Sequence, residues 1–133
     1  GIALVAYAPL SRGFLSGRVT SNDQFETRDI RNHSPRFQDE NFAANRRLVE
    51  ELGRIAAEKG VTTAQLAIAW VLAQGEDIVA LVGTKSRRRL EENAGAAGVE
   101  LTERDLARIE ETVPKGSVVG ERYPPAGMKI VDR

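Results

Sequence analysis

The sequence has no cysteine, and only one histidine, one methionine and one tryptophan in 133 residues. Without thiols there are no disulfides and no thiolate metal sites, and a single imidazole cannot build a histidine-rich metal site. No apolar stretch is long enough to span a bilayer. An excess of one charge is missing too: 19 Lys+Arg stand against 19 Asp+Glu, for a formal net charge of zero. A neutral chain argues against a general nucleic-acid or membrane-surface binder, whose affinity rests on net basic charge. The chain opens on an apolar run without a basic leader, so no signal peptide is expected and the cytoplasm is the default compartment.

The length suffices for one domain with a core. Ile2 to Tyr7 is a continuous apolar run, which predicts a strand buried on both faces of a parallel sheet and ended by Pro9 and Gly13. Residues 16–42 are polar and without periodicity, and are expected to form a long loop of the kind that is usually functional or disordered. Leu48, Val49, Leu52, Ile55 and Ala56 recur at helical spacing, which predicts a helix over 44–59 stopped by Gly60. Thr62 and Gln65 fit a capping box for a second helix over 63–74, apolar nearly all round and therefore buried. Ile78–Val82 predicts a second buried strand. A third helix is expected from Ser86 to about Ala97, and a fourth after Thr102 with Leu106, Ile109 and Val113 on its apolar face and Pro114 at its end. The tail, 115–133, reads as extended and irregular.

The most informative segment is Gly83-Thr84-Lys85-Ser86-Arg87-Arg88-Arg89 with Glu91, Glu92 and Asn93 behind it. Three arginines occupy the first turn of a helix, the end that already carries partial positive charge and favours acids. A strand end, a Gly-Thr turn, free backbone N–H groups and Lys85 complete an arrangement suited to a phosphate. Pairing of the arginines with Glu91 and Glu92 at helical spacing is the competing explanation, but it leaves the crowding at the first turn unexplained. A basic module for RNA or phosphoproteins is disfavoured by the zero net charge and by the lack of an aromatic platform.

The order strand, helices, strand, helix is a βαβα pattern of the α/β class. Two strands expose long edges and do not make a stable sheet alone. The sequence therefore reads as the last part of something larger.

Three separated motifs carry a resemblance to a known family. Val5-Ala6-Tyr7-Ala8-Pro9-Leu10-Ser11-Arg12-Gly13-Phe14-Leu15-Ser16-Gly17 resembles the strand-seven segment of the aldo-keto reductases. Ala64 to Leu72 resembles the helix before their eighth strand, and Gly83-Thr84-Lys85 with Arg89-Leu90 and Glu92-Asn93 resembles their adenosine 2′-phosphate motif. Gly120-Glu121-Arg122-Tyr123-Pro124 is similar to a bacterial and fungal branch of the family. The resemblance implies that residues 1–133 are the C-terminal segment of one TIM (β/α)8 barrel, incomplete on its own, with strands seven and eight present.

It further implies residue roles. Tyr7 matches the aromatic position that stacks on nicotinamide. Ala8, Leu10 and Arg12 match the turn along the pyrophosphate; Ala8 stands where Ser is commoner and Ser11 where Gly is. Gly83, Thr84, Lys85 and Arg89 match the 2′-phosphate site, which favours NADPH over NADH, and Glu92 and Asn93 match the pair on the adenine edge. Nothing in the chain matches the Asp-Tyr-Lys-His catalytic tetrad, which lies in the missing N-terminal half of the barrel. The implied activity of the whole is hydride transfer between NADPH and an aldehyde or ketone. This chain alone is expected to be inactive. A non-catalytic NADP(H)-binding or sensor protein on the same scaffold is the alternative. His33 is expected to be a surface or loop residue, and Arg36-Phe37 either a shaper of specificity or a loop anchor.

Overall fold

The computed structural model describes residues 1–131, so the last two residues of the expected tail lie outside the described ones. Strand β1 (Leu4–Tyr7) pairs in parallel with β2 (Ile78–Leu81), Leu4 facing Ile78 and Tyr7 facing Leu81. They are the only strands among the described residues. Helices α1 (Asp39–Glu58) and α2 (Thr63–Leu72) lie between them in sequence. Helices α3 (Arg87–Ala94), α4 (Glu103–Thr112) and the single turn α5 (Pro125–Met128) follow β2. None is long and apolar enough to cross a membrane.

The strands are not buried as their apolar composition predicts. Tyr7 is 62 % exposed, Val5 55 %, Val79 54 % and Leu81 53 %. A parallel strand is covered on both faces and both edges only when further strands and helices surround it. Here each strand has one neighbour.

The core lies in the helical layer, as two clusters. Phe14, Phe37 and Phe42 form the first, with Val19 and Val49. Phe14 meets Phe37 edge to face at a 4.9 Å centroid distance and Phe42 at 5.4 Å, geometry that the ring quadrupoles favour. Leu52, Ile55, Ala56, Leu66 and Ile109 form the second, where α1, α2 and α4 meet. Leu15 packs against both.

The long segment after β1 is more structured than its polarity predicts. It holds single 3-10 turns at Asn22–Gln24, Ile30–His33 and Pro35–Phe37, and α1 begins at Asp39 rather than 44. Phe37 and Phe42 bury this stretch against Phe14, while Asp39 and Glu40 suit a helix N-terminus. Helix α3 is shorter than predicted: it ends at Ala94 and a 3-10 turn, Gly95–Gly98, takes over. A Cβ on Gly95 would sit 2.9 Å from Nε2 of Gln65, which donates to the Glu92 carbonyl at 2.9 Å. That approach ties α2 to α3.

The tail is pinned rather than loose. Buried Asn45 donates to the carbonyls of Val119 (2.8 Å) and Arg36 (3.1 Å) and accepts from Val119 N–H (2.8 Å). At Gly120, with φ of 88°, a Cβ would meet the Pro35 carbonyl at 3.0 Å, so only glycine passes there.

Capping boxes open both α2 and α4, at Thr62/Gln65 and Thr102/Asp105. Asp105 also receives the Lys59 ammonium at 2.7 Å, joining the end of α1 to the start of α4. The Lys59 bond first, then those from Thr102, hold its carboxyl at about 2 against an ordinary 3.8. A carboxyl whose folded pKa lies below its unfolded one contributes fully above about pH 4 and loses that contribution as pH falls toward 2. In urea unfolding of the complete protein carrying this segment, Asp105→Asn is expected to be less stable than wild type at pH 7 and to lose less between pH 4 and pH 2. An unchanged acid response in the variant would contradict the role given to Asp105.

Candidate functional site

Parallel pairing places the C-terminal ends of β1 and β2 side by side, so the segments after them share one edge. Between these segments runs a groove of about 830 Å³. Nine of the ten expected site residues line it: Ala8, Leu10, Arg12, Gly83, Thr84, Lys85, Arg89, Glu92 and Asn93. Tyr7 does not. It lines an adjoining pocket that shares Ala8, Pro9 and Arg12 with the groove.

The first wall is the turn after β1. Ala8, Ser11 and Arg12 take φ of 55°, 48° and 57°, the left-handed region that non-glycine residues rarely adopt. Gly13 follows at 91°. Ser11 N–H donates to the Ala8 carbonyl at 2.9 Å and Gly13 N–H to the Leu10 carbonyl at 2.9 Å, which closes the turn on itself. Such backbone is costly and clusters at binding sites. Arg12 then reaches Ser34 Oγ with Nη1 at 3.0 Å.

The second wall is the β2–α3 connection. Ser86 N–H donates to Thr84 Oγ1 at 3.2 Å, which fixes the turn before α3. The Ser86 side chain makes no cap hydrogen bond, so the first N–H groups of α3 have no side-chain acceptor. Of the three arginines in the first turn, only Arg89 lines the groove. Successive helical residues point about 100° apart, so Arg87 and Arg88 face elsewhere. Among the described residues, Lys85, Arg87, Arg88 and Arg89 form no ion pair; the pairing of these arginines with Glu91 or Glu92 at helical spacing does not occur.

Glu92 is engaged otherwise. Its Oε2 accepts from Arg18 Nη2 at 2.9 Å across the groove, 74 residues away in sequence. Arg18 and Arg31 line the groove and carry no motif that marks them. Arg31 is neutralised locally. It donates Nε (2.9 Å) and Nη2 (2.6 Å) to Asp29, and these bonds hold the Asp29 carboxyl at about 2 against 3.8. The groove thus has two cations paired with acids, Arg18 and Arg31, and three, Arg12, Lys85 and Arg89, that form no ion pair among the described residues. His33 is exposed and outside both cavities. Phe37, only 1 % exposed, is an anchor of the aromatic core. Arg36 faces the adjoining pocket.

The chain is similar to known proteins along nearly its whole length. A model of the aldo/keto reductase family matches residues 1–114. An aldo-keto reductase of Schizosaccharomyces pombe, named with NADP(+), is 47 % identical over 97 % of this chain and 38 % of its own length. A probable aldo-keto reductase of Glycine max is 44 % identical over 92 % of this chain and 35 % of its own. Among solved structures, a glycerol dehydrogenase from Gluconobacter oxydans superposes with a TM-score of 0.76 at 27 % identity, over 83 % of this chain and 33 % of that one. The chain therefore spans less than two-fifths of the length of these relatives. The bare strand faces follow from that: the two strands and their helices are one segment of a larger barrel.

The left-handed turn yields a prediction. A non-glycine residue in that region costs roughly 1–2 kcal/mol, and glycine loses roughly 0.5–1 kcal/mol in backbone entropy. Ser11→Gly is therefore expected to stabilise the complete protein by about 0.5 kcal/mol, and Ser11→Val to destabilise it by at least about 1 kcal/mol. The midpoint of urea unfolding measures both. Equal destabilisation by glycine and valine would show that the Ser11 conformation is not strained.

Proposed function

The chain belongs to the aldo-keto reductase family, and from that premise we propose that it is the C-terminal, cofactor-binding segment of an NADPH-dependent reductase of aldehydes or ketones. The whole of residues 1–133 then belongs to one barrel domain, in which 16–42 form the long connection after β1 and 115–133 the tail. The observation that carries the reading is the pair of unpaired cations, Lys85 and Arg89, beside the Gly83-Thr84 turn and opposite the Ala8–Arg12 turn in one groove. The relative from Schizosaccharomyces pombe is named with NADP(+), which supports the same cofactor here.

The residues present fit such a group. Gly83 has nothing within 4 Å of where a Cβ would stand, so the floor beside Lys85 is open. Lys85 and Arg89 supply charge-assisted donors for a 2′-phosphate, and Thr84 shapes the turn that presents them. The backbone of the Ala8–Arg12 turn would hold the pyrophosphate. Tyr7, whose ring is exposed, would meet the nicotinamide. Glu92 and Asn93 would hold the adenine edge, with Glu92 kept in place by Arg18. NADPH, when bound, supplies the hydride. The proton donor and its partners come from the part of the barrel outside this chain, so no residue here is assigned a catalytic role.

Two outcomes are expected. The isolated 133-residue chain should reduce no aldehyde at saturating NADPH; turnover above a buffer blank that Tyr7→Phe removes would contradict the placement of the chemistry elsewhere. In the complete protein, Lys85→Ala and Arg89→Ala should each weaken NADPH about ten- to a hundred-fold, since a charge-assisted hydrogen bond is worth roughly 1.5–3 kcal/mol. NADH should be affected much less, and the salt dependence of NADPH binding should fall. Dissociation constants for both cofactors decide this. Equal loss for NADPH and NADH, or no change for NADPH, would contradict the phosphate site.

A further inference from the structure

The pocket adjoining the cofactor groove collects positive charge that no carboxylate neutralises among the described residues. Three guanidinium groups line it, those of Arg12, Arg36 and Arg122, together with Tyr7, Ser34 and Tyr123. They come from distant parts of the chain: the turn after β1, the connection before α1, and the tail. Arg12 is held by Ser34 Oγ at 3.0 Å, and Arg36 Nε donates to the Gly120 carbonyl at 3.2 Å. The Arg122 guanidinium lies 5.9 Å from the Tyr7 ring centroid and 5.7 Å from that of Tyr123, while Arg12 lies 5.4 Å from Tyr123. Among the described residues no carboxylate forms an ion pair with any of the three. Burial, followed by the charges of Arg122 and Arg12, lowers the pKa of Arg36 below its ordinary value, with Glu121 opposing.

Like charges gathered in a half-enclosed pocket repel, and an oxyanion is what relieves them. The guanidinium forks match a carboxylate in shape as well as charge. At about 150 Å³ the pocket holds a small group and not a nucleotide. It meets the cofactor groove through Ala8, Pro9 and Arg12, and Tyr7 forms part of its wall. We propose that Arg36 and Arg122, with Arg12, form an oxyanion pocket for a carboxylate on the carbonyl substrate, so that the enzyme prefers oxo-acids over neutral aldehydes. The proposal rests on the reductase reading for its substrate, while the arginine geometry stands apart from it.

The test uses the complete protein and a matched pair of aldehydes, 4-carboxybenzaldehyde and its neutral methyl ester. Binding of each is measured by calorimetry without turnover, and kcat/KM is measured with NADPH. Wild type is expected to favour the carboxylate in both. Arg122→Gln and Arg36→Gln should each lower the carboxylate-to-ester ratio by about ten-fold or more through KM, with Arg122→Lys restoring part of it. Arg36 also holds the Gly120 carbonyl, so Arg122, with no such bond, is the cleaner variant. Preference for the carboxylate in binding without any turnover would leave the pocket standing and defeat the reductase reading. Turnover of both aldehydes without preference, or an unchanged ratio in both variants, would overturn the pocket alone. A loss of NADPH affinity in Arg122→Gln as large as the loss for the carboxylate would also overturn it, by assigning these arginines to the cofactor's phosphates.

Discussion

The parallel pairing of β1 with β2 is the constraint on which the rest depends. Its register, Leu4 to Ile78 and Tyr7 to Leu81, brings residues 8–12 beside residues 82–85 although some seventy positions separate them. A parallel pair needs a long crossover, and α1 and α2 supply it while burying their apolar faces against each other and α4. Both strands then end at the same edge, where a parallel sheet places its binding groups. A slip of one residue would reverse the faces of Tyr7 and Leu81 and break the groove apart.

The pairing also explains where stability is missing. The helices bury each other well, but the sheet they flank has two strands and exposed apolar faces. Two-stranded sheets are marginal in water. Neighbouring strands and helices of the larger barrel, of which the relatives have more than twice this length, would cover Val5 and Val79. The groove can nonetheless be described within this segment, because both of its walls follow strands that the segment contains.

Much of this was legible in the sequence, and for physical reasons. Continuous apolar runs marked both strands, and the Thr62/Gln65 capping box marked α2, because these signals are local. The family motifs named ten residues, of which nine line one groove and Tyr7 lines the pocket beside it. An apolar run reports what would cover a strand and not whether the cover is in the chain; that this cover is missing here was legible only from there being two strands. The start of α1 was masked because Asp39, Glu40 and Asn41 are polar, while what fixes it is Phe37 and Phe42 meeting the distant Phe14. Arg18 gave no signal, because its pairing with Glu92 spans 74 residues. The crowding of Arg87, Arg88 and Arg89 was read as one cluster; helical geometry sends only Arg89 to the groove.

The central claim is that the edge formed by Gly83 to Asn93 recognises a phosphate on an adenosine 2′ position. Amide chemical shifts of the complete protein, titrated with adenosine 2′,5′-bisphosphate and separately with adenosine 5′-monophosphate, test it most directly. The account predicts saturable shifts at Thr84, Lys85, Ser86 and Arg89 with the bisphosphate, at concentrations where the monophosphate leaves them nearly unmoved. Equal responses to both nucleotides, or shifts confined to residues away from this edge, would contradict it.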